Sequence, residues 1–116
     1  MREASLSSAG VRFIDRDQVI RDLRHAVAEA KTRHPEIVKA YLFGSLVTGT
    51  WTADSDADLI IVVRKEFRSF SDSCPYQIYC PAIPTDSLVY SEGEFQQLSS
   101  DPESFLAQNL PNAIEL

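Results

Sequence analysis

Apolar residues recur at helical spacing in the N-terminal third of the chain. They are Val19, Ile20, Leu23, Ala26, Val27 and Ala30. Asp15 or Asp17 could cap this helix, and Gln18, three residues after Asp15, resembles a capping box. Pro35 ends the pattern, because the residue before a proline avoids the helical region. The spacing therefore predicts one amphipathic helix that starts near Asp15 and ends at His34.

Short apolar runs predict the strands of one sheet. Val38–Phe43 is the first, and Asp58–Val63 is β-branched and continuous, as expected for a central strand buried on both faces. Thr85–Tyr90 predicts a third strand and Ala113–Leu116 a short last one. Prolines limit any strand at Tyr76–Cys80 to a short or edge position. Mixed with helices, these strands predict an α+β fold with a single mixed sheet.

Two short helices are predicted between the third strand and the last one. Ser91 and Glu94 form the capping-box pattern of the first, which carries Phe95 and Leu98. Asp101 followed by Pro102 predicts the cap and first residue of the second. The second helix would bury Phe105, Leu106 and Leu110 before Pro111.

Composition narrows the class of protein. The length of 116 residues predicts one domain over 1–116, with 1–14 as a polar lead-in. The formal net charge of −6 argues against strong binding to a nucleic-acid backbone. The longest apolar run, Leu59–Val63, is too short to span a membrane, and the N-terminus lacks the apolar core of a secretory signal. We therefore expect a cytoplasmic protein in which Cys74 and Cys80 are free.

The candidate chemistry lies between the first and the central predicted strand. Gly44 lets a phosphate approach the backbone, and the Ser45 hydroxyl and the N–H groups of a short helix Ser45–Gly49 would hold its oxygens. Asp56 and Asp58 lead into the central strand and point to the same side. Their like charges repel, and Mg²⁺ between them would relieve this.

A third carboxylate would complete a site for two metal ions. Asp86 lies near the start of the third predicted strand, and an adjacent strand would bring it beside Asp56 and Asp58. In such sites one metal ion activates the attacking hydroxyl and the other stabilises the leaving group. A phosphate-binding turn that faces these carboxylates predicts nucleotidyl transfer.

Three segments resemble the signature of the DNA polymerase β-like nucleotidyltransferase superfamily. They are Tyr41–Ser45, Gly49 and Ser55–Leu59, with ten residues between Ser45 and Asp56. The small size is similar to that of the minimal nucleotidyltransferases in this superfamily. The resemblance implies a polymerase β-like core, a mixed sheet flanked by helices.

The resemblance also implies a role for each site residue. Gly44 and Ser45 would bind the triphosphate of a nucleotide, with ATP as the expected substrate. Asp56, Asp58 and Asp86 would bind two Mg²⁺ ions, and Asp86 would help to activate the acceptor hydroxyl. The acceptor would be a partner protein or a small molecule.

Minimal members of the superfamily are often paired with a helical toxin of the HEPN type. The resemblance therefore implies an antitoxin that places AMP on its partner, and the alternative is a binding module that neutralises the partner by contact. A homo-oligomer is the other assembly that we consider.

One departure from the pattern concerns charge. The segment Leu46–Gly49 carries no basic residue, where many minimal members have one. Binding of the triphosphate is then expected to depend on backbone groups, on Mg²⁺ and on Arg64 or Lys65. Trp51 would either stack on a base or cover the edge of the sheet.

Overall fold

A computed structural model describes residues 15–52 and 54–116. The predicted lead-in, residues 1–14, lies outside the described residues. The main elements, in chain order, are α1 (Arg16–Arg33), β1 (Ile37–Phe43), α2 (Ser45–Thr48), β2 (Ala57–Val63), β3 (Thr85–Ser91), α3 (Glu92–Ser99), α4 (Phe105–Asn109) and β4 (Ile114–Glu115). Two 3₁₀ segments cover Phe70–Tyr76 and Leu110–Asn112. None of the helices in this part of the chain combines the length and apolarity that crossing a membrane requires.

The first helix follows its sequence signals closely. The Asp15 carboxylate accepts a hydrogen bond of 3.2 Å from the Gln18 N–H, which caps α1. At the other end the His34 N–H donates to the Ala30 carbonyl at 2.8 Å, and the helix stops before Pro35. All six apolar residues of the predicted stripe are buried, so the predicted helix is confirmed.

The sheet is mixed, with the strand order β3-β2-β1-β4. β1 pairs antiparallel with both β2 and β4, whereas β2 and β3 are parallel. β2 is an inner strand, and its residues Leu59–Val63 are at most 2% exposed. The predicted α+β class and the central position of this strand are therefore confirmed.

Helices cover both faces of the sheet. Leu59, Ile61 and Val63 pack in one core cluster with the buried stripe of α1. Ile60 and Val62 pack in a second cluster with Leu106 of α4, bordered by aromatic residues of α3 and β1. Because alternate residues of a strand face opposite sides, Asp58 lies on the sheet face that α3 and α4 cover.

The segment Tyr76–Cys80, where any strand was expected to be short or at an edge, forms no strand. Ile78 is instead held by two side chains of β3: its N–H donates to Ser87 Oγ at 3.2 Å, and its carbonyl accepts from Thr85 Oγ1. The flanking prolines, Pro75 and Pro81, remove backbone donors that a paired strand would need. β3 is therefore an edge strand.

Two smaller expectations near the C-terminus also need correction. The cap of α4 is Ser104, whose Oγ accepts from the Ala107 N–H at 3.0 Å. Asp101 instead accepts from the Glu103 N–H at 3.0 Å in a local turn, so the helix starts later than Pro102. By contrast, the capping box of Ser91 and Glu94 at the start of α3 is confirmed in both of its hydrogen bonds.

Candidate active site

Gly44, which follows the last residue of β1, lies next to the carboxylate of Asp58. Its φ is +85°, and a Cβ built on it would collide with Oδ2 of Asp58. Any other residue would therefore be strained by the backbone angle and would displace the carboxylate. The turn thus holds the Asp58 side chain directly against the peptide backbone.

The Ser45 side chain joins this turn to the loop that precedes Asp56. Its hydroxyl donates to Ser55 Oγ at 3.4 Å, and Ser55 Oγ accepts from the Thr52 N–H at 2.8 Å. α2 starts at Ser45 and ends at Gly49, which adopts a φ of +90° and returns its N–H to the Ser45 carbonyl. The predicted short helix is confirmed.

Strand pairing places Asp86 beside Asp58. β2 and β3 run parallel, and these two aspartates are partners in the register. A hydrogen bond of 2.8 Å from the Ala57 N–H to the Pro84 carbonyl fixes the start of this pairing. Asp56 lies just before β2, on the same side of the chain as Asp58. The predicted adjacency of Asp86 and Asp58 is therefore confirmed.

The three carboxylates interact through their charges. The pKa of Asp58 is raised, first by burial and then by the negative charges of Asp86 and Asp56. No donor within residues 15–52 and 54–116 offsets this with a hydrogen bond to the Asp58 carboxylate. Among the described residues, the Asp58 carboxylate therefore has no group that compensates its negative charge.

The donor set suits a hard cation, although the described side chains do not already form a metal site. Among the described residues no three acidic, histidine or cysteine side chains converge closely enough to hold a metal ion. Carboxylate oxygens are nevertheless the ligands that Mg²⁺ prefers. The strand register already places Asp58 beside Asp86, so two of the three carboxylates start from adjacent backbone positions.

The expected role of Arg64 and Lys65 at the phosphates is wrong. Both follow the C-terminal end of β2, opposite the end where Asp58 lies, and Arg64 faces Glu92 at 3.5 Å. The guanidinium that reaches α2 belongs to Arg16, whose Nε donates to the Leu46 carbonyl at 2.7 Å. Sequence analysis missed Arg16 because it lies 30 residues from Leu46 and no local pattern links them.

Trp51 and the two cysteines take no part in this site. Trp51 is partly buried and packs against the core on the α1 face of the sheet, so it covers the sheet. Cys74 is exposed and Cys80 is buried, and both are free thiols.

Comparison with known families decides the classification. The model of the nucleotidyltransferase domain family matches residues 23–104. The chain belongs to this family. The matched residues of this nucleotidyltransferase domain include the Gly44–Ser45 turn and all three aspartates.

One solved structure supports the fold independently. It is a protein from Sulfolobus solfataricus, provisionally assigned as a nucleotidyltransferase. The TM-score is 0.52 at 23% sequence identity, and the alignment covers 77% of this chain and 85% of that one. No curated protein sequence matches the chain. The expected nucleotidyltransferase core is thus confirmed at the level of the fold.

Proposed function

We propose that this nucleotidyltransferase domain transfers a nucleoside monophosphate, AMP from ATP, to a hydroxyl group in a reaction that requires Mg²⁺. The observation that carries the proposal is the contact between Gly44 and the Asp58 carboxylate, with Asp86 alongside in the next strand. In support, the proposed phosphate-binding turn and the acidic groups lie at one end of the sheet. Nucleotidyl transfer needs that combination.

Each residue has a distinct task in this proposal. The backbone N–H groups after Gly44 and the Ser45 hydroxyl bind the triphosphate. Asp56, Asp58 and Asp86 hold the metal ions, and Asp86 also orients the acceptor hydroxyl. Mg²⁺, when bound, neutralises charge that develops on the transferred phosphate and on the leaving pyrophosphate. Arg16 holds α2 in place through the Leu46 carbonyl.

The acceptor can approach Asp86 from the open side of β3. A groove of about 540 Å³ adjoins this aspartate and is bordered by Phe70, Gln77 and Leu88. Leu88 is 37% exposed on this edge strand. Such an open approach suits a hydroxyl on another protein, and a helical partner of the HEPN type is the acceptor that we propose.

The test is transfer of label from ATP that is radiolabelled at the α-phosphate. Purified protein is incubated with the labelled ATP, Mg²⁺ and the candidate partner. We expect Asp56→Ala combined with Asp58→Ala to abolish incorporation, because both metal-binding carboxylates are lost. Asp54→Ala is the matched control, since Asp54 is an exposed turn residue in the same loop. Equal labelling by the double variant and the wild type would refute the proposal.

A second candidate function is a binding module that neutralises its partner by contact alone. The observation in its favour is that α2 carries no basic side chain of its own and that the described carboxylates do not converge. In that case the double variant would still neutralise the partner. Loss of neutralisation with unchanged binding would exclude this candidate.

A further inference from the structure

Phe105 is an exposed aromatic residue on the face of the sheet that carries the carboxylates. It is the first residue of α4 and is 46% exposed. Four other aromatic side chains on this face are partly buried and pack against the second core cluster. They are Tyr41, Phe43, Tyr90 and Phe95. Much of the Phe105 ring is thus in contact with solvent although its helix packs on the sheet.

Strand register places this ring close to the candidate site. Phe105 packs edge-to-face on Phe43, with ring centroids 5.2 Å apart and an interplanar angle of 80°. Phe43 is the register partner of Asp58 and immediately precedes Gly44. Directly paired residues point to the same face of a sheet. Phe43 therefore links the exposed ring to both the carboxylate and the turn.

The start of α4 is fixed by its surroundings. Ser104 caps the helix through Ala107, and the Ser104 hydroxyl donates to the Leu98 carbonyl. Leu106, the next residue, is buried against β2. The backbone that carries Phe105 is consequently fixed before any ligand binds, which lowers the entropic cost of stacking on its ring.

A small cleft connects the turn with α4. Its volume is about 60 Å³, and it lies between Gly44 and Thr48 on one side and Asn109 and Asn112 on the other. Asn109 is one helical turn beyond Phe105. If the phosphates of a nucleotide bind at Gly44, its sugar and base would therefore lie towards α4.

We propose that Phe105 is the platform on which the nucleobase of the bound nucleotide stacks. This inference rests on the proposed function, because it needs a triphosphate at Gly44 and Ser45. Phe105 lies just outside the residues 23–104 that match the family model. Every base has a π face, so stacking binds the nucleotide without strict selection of the base.

The test compares two ligands that share the phosphates and differ in the base. Binding of ATP and of inorganic tripolyphosphate, each with Mg²⁺, is measured by titration calorimetry. Stacking on an aromatic side chain contributes enough that Phe105→Ala and Phe105→Leu should weaken ATP binding about five-fold or more. Tripolyphosphate should bind as it does to the wild type. Phe105→Tyr should retain the affinity for ATP.

Two controls separate stacking from loss of structure. Phe105→Leu keeps an apolar contact with Phe43, so it remains informative if the alanine variant unfolds. Tyr79→Ala removes a ring that is 80% exposed and lies beside α1, away from the turn, and it should change neither affinity. Circular dichroism checks that each variant is folded.

The outcomes distinguish the inference from the proposed function. If Phe105→Leu binds ATP as tightly as the wild type, the stacking role is refuted and the proposed function is unaffected. If this variant loses affinity for both ligands equally, Phe105 supports the turn by packing and the inference is again refuted. If the wild type binds neither ligand, the proposed function fails and the inference fails with it.

Discussion

Each end of the β1–β2 pair carries a carboxylate, and the pKa values of these two carboxylates are shifted in opposite directions. Glu36, just before β1, accepts a hydrogen bond of 2.7 Å from the buried Tyr76 hydroxyl, which lowers the pKa of Glu36. Asp58, at the start of β2, has no such donor among the described residues, and burial together with Asp86 and Asp56 raises its pKa. The Tyr76 hydroxyl thus satisfies the Glu36 carboxylate. The Asp58 carboxylate has no compensating group among the described residues, as a site for a cation requires.

The largest effect is expected from the contact between the turn and Asp58. Gly44→Ala adds a Cβ that collides with Oδ2 of Asp58 and retains a φ of +85° that alanine disfavours. We expect the free energy of unfolding to fall by about 2 kcal/mol or more, and transfer to be lost. Urea denaturation and the labelling assay measure the two effects.

Gly93→Ala is the matched control for this variant. A Cβ at Gly93 would meet only Glu66 Oε2, at 3.8 Å, and the residue lies within α3. Its stability should stay constant or rise by about 0.5–1 kcal/mol. If Gly44→Ala were as stable and active as Gly93→Ala, the close contact between the turn and Asp58 would affect neither stability nor transfer. The contrast between the two ends of the β1–β2 pair would then be contradicted.

Asp58→Asn should stabilise the metal-free protein at neutral pH while it abolishes transfer. Because the pKa of Asp58 in the fold is above its ordinary value of 3.8, the wild type loses stability as the pH rises through the pKa of the folded state. Asparagine carries no charge, so the Tm of Asp58→Asn should exceed that of the wild type at pH 7. The two Tm values should become equal below pH 3.8.

Thermal melting in the presence of a chelator, over a range of pH, measures this advantage. Added Mg²⁺ should then raise the Tm of the wild type and leave that of Asp58→Asn unchanged. Asp54→Asn serves as the control for a surface charge. A lower Tm for Asp58→Asn at neutral pH would contradict the assigned electrostatics.

The smallest effect is expected at the other end of the strand pair. Tyr76→Phe removes the hydrogen bond to Glu36 and should lower the stability slightly at neutral pH, with transfer unchanged. The lowered pKa of Glu36 means that this stabilisation is present above the ordinary value of 4.5 and is lost as the pH falls.

The loss should be followed by urea denaturation at two pH values, one neutral and one below 4.5. A difference between Tyr76→Phe and the wild type that does not shrink in acid would show that the Glu36 carboxylate is not involved. A marked loss of transfer would mean that the two ends of the sheet are coupled.

Local signals made much of the fold predictable. The cap at Asp15, the break at Pro35 and the capping box of Ser91 each involve residues a few positions apart, and each is present in the structure. The continuous apolar run of β2 indicated its central position because only an inner strand covered on both faces tolerates it. The same run brought Asp58 into register with Asp86 once β3 paired with it.

The features that sequence analysis missed depend on contacts between distant parts of the chain. Arg16 reaches Leu46 across 30 residues, and Tyr76 reaches Glu36 across 40. The exposure of Leu88 reflects the position of β3 at an edge of the sheet, and hydrophobic pattern alone does not specify that edge. Asp101 and Ser104 both suit a helix cap, and only packing selected Ser104.

The most direct test of the central claim is a crystal structure with Mn²⁺ and a non-hydrolysable ATP analogue. Mn²⁺ accepts the same oxygen ligands as Mg²⁺, and its anomalous scattering locates it unambiguously. We predict Mn²⁺ bound jointly by Asp56, Asp58 and Asp86, with the triphosphate against Gly44 and Ser45. Metal bound away from these aspartates, or a nucleotide that does not contact the turn, would contradict the account.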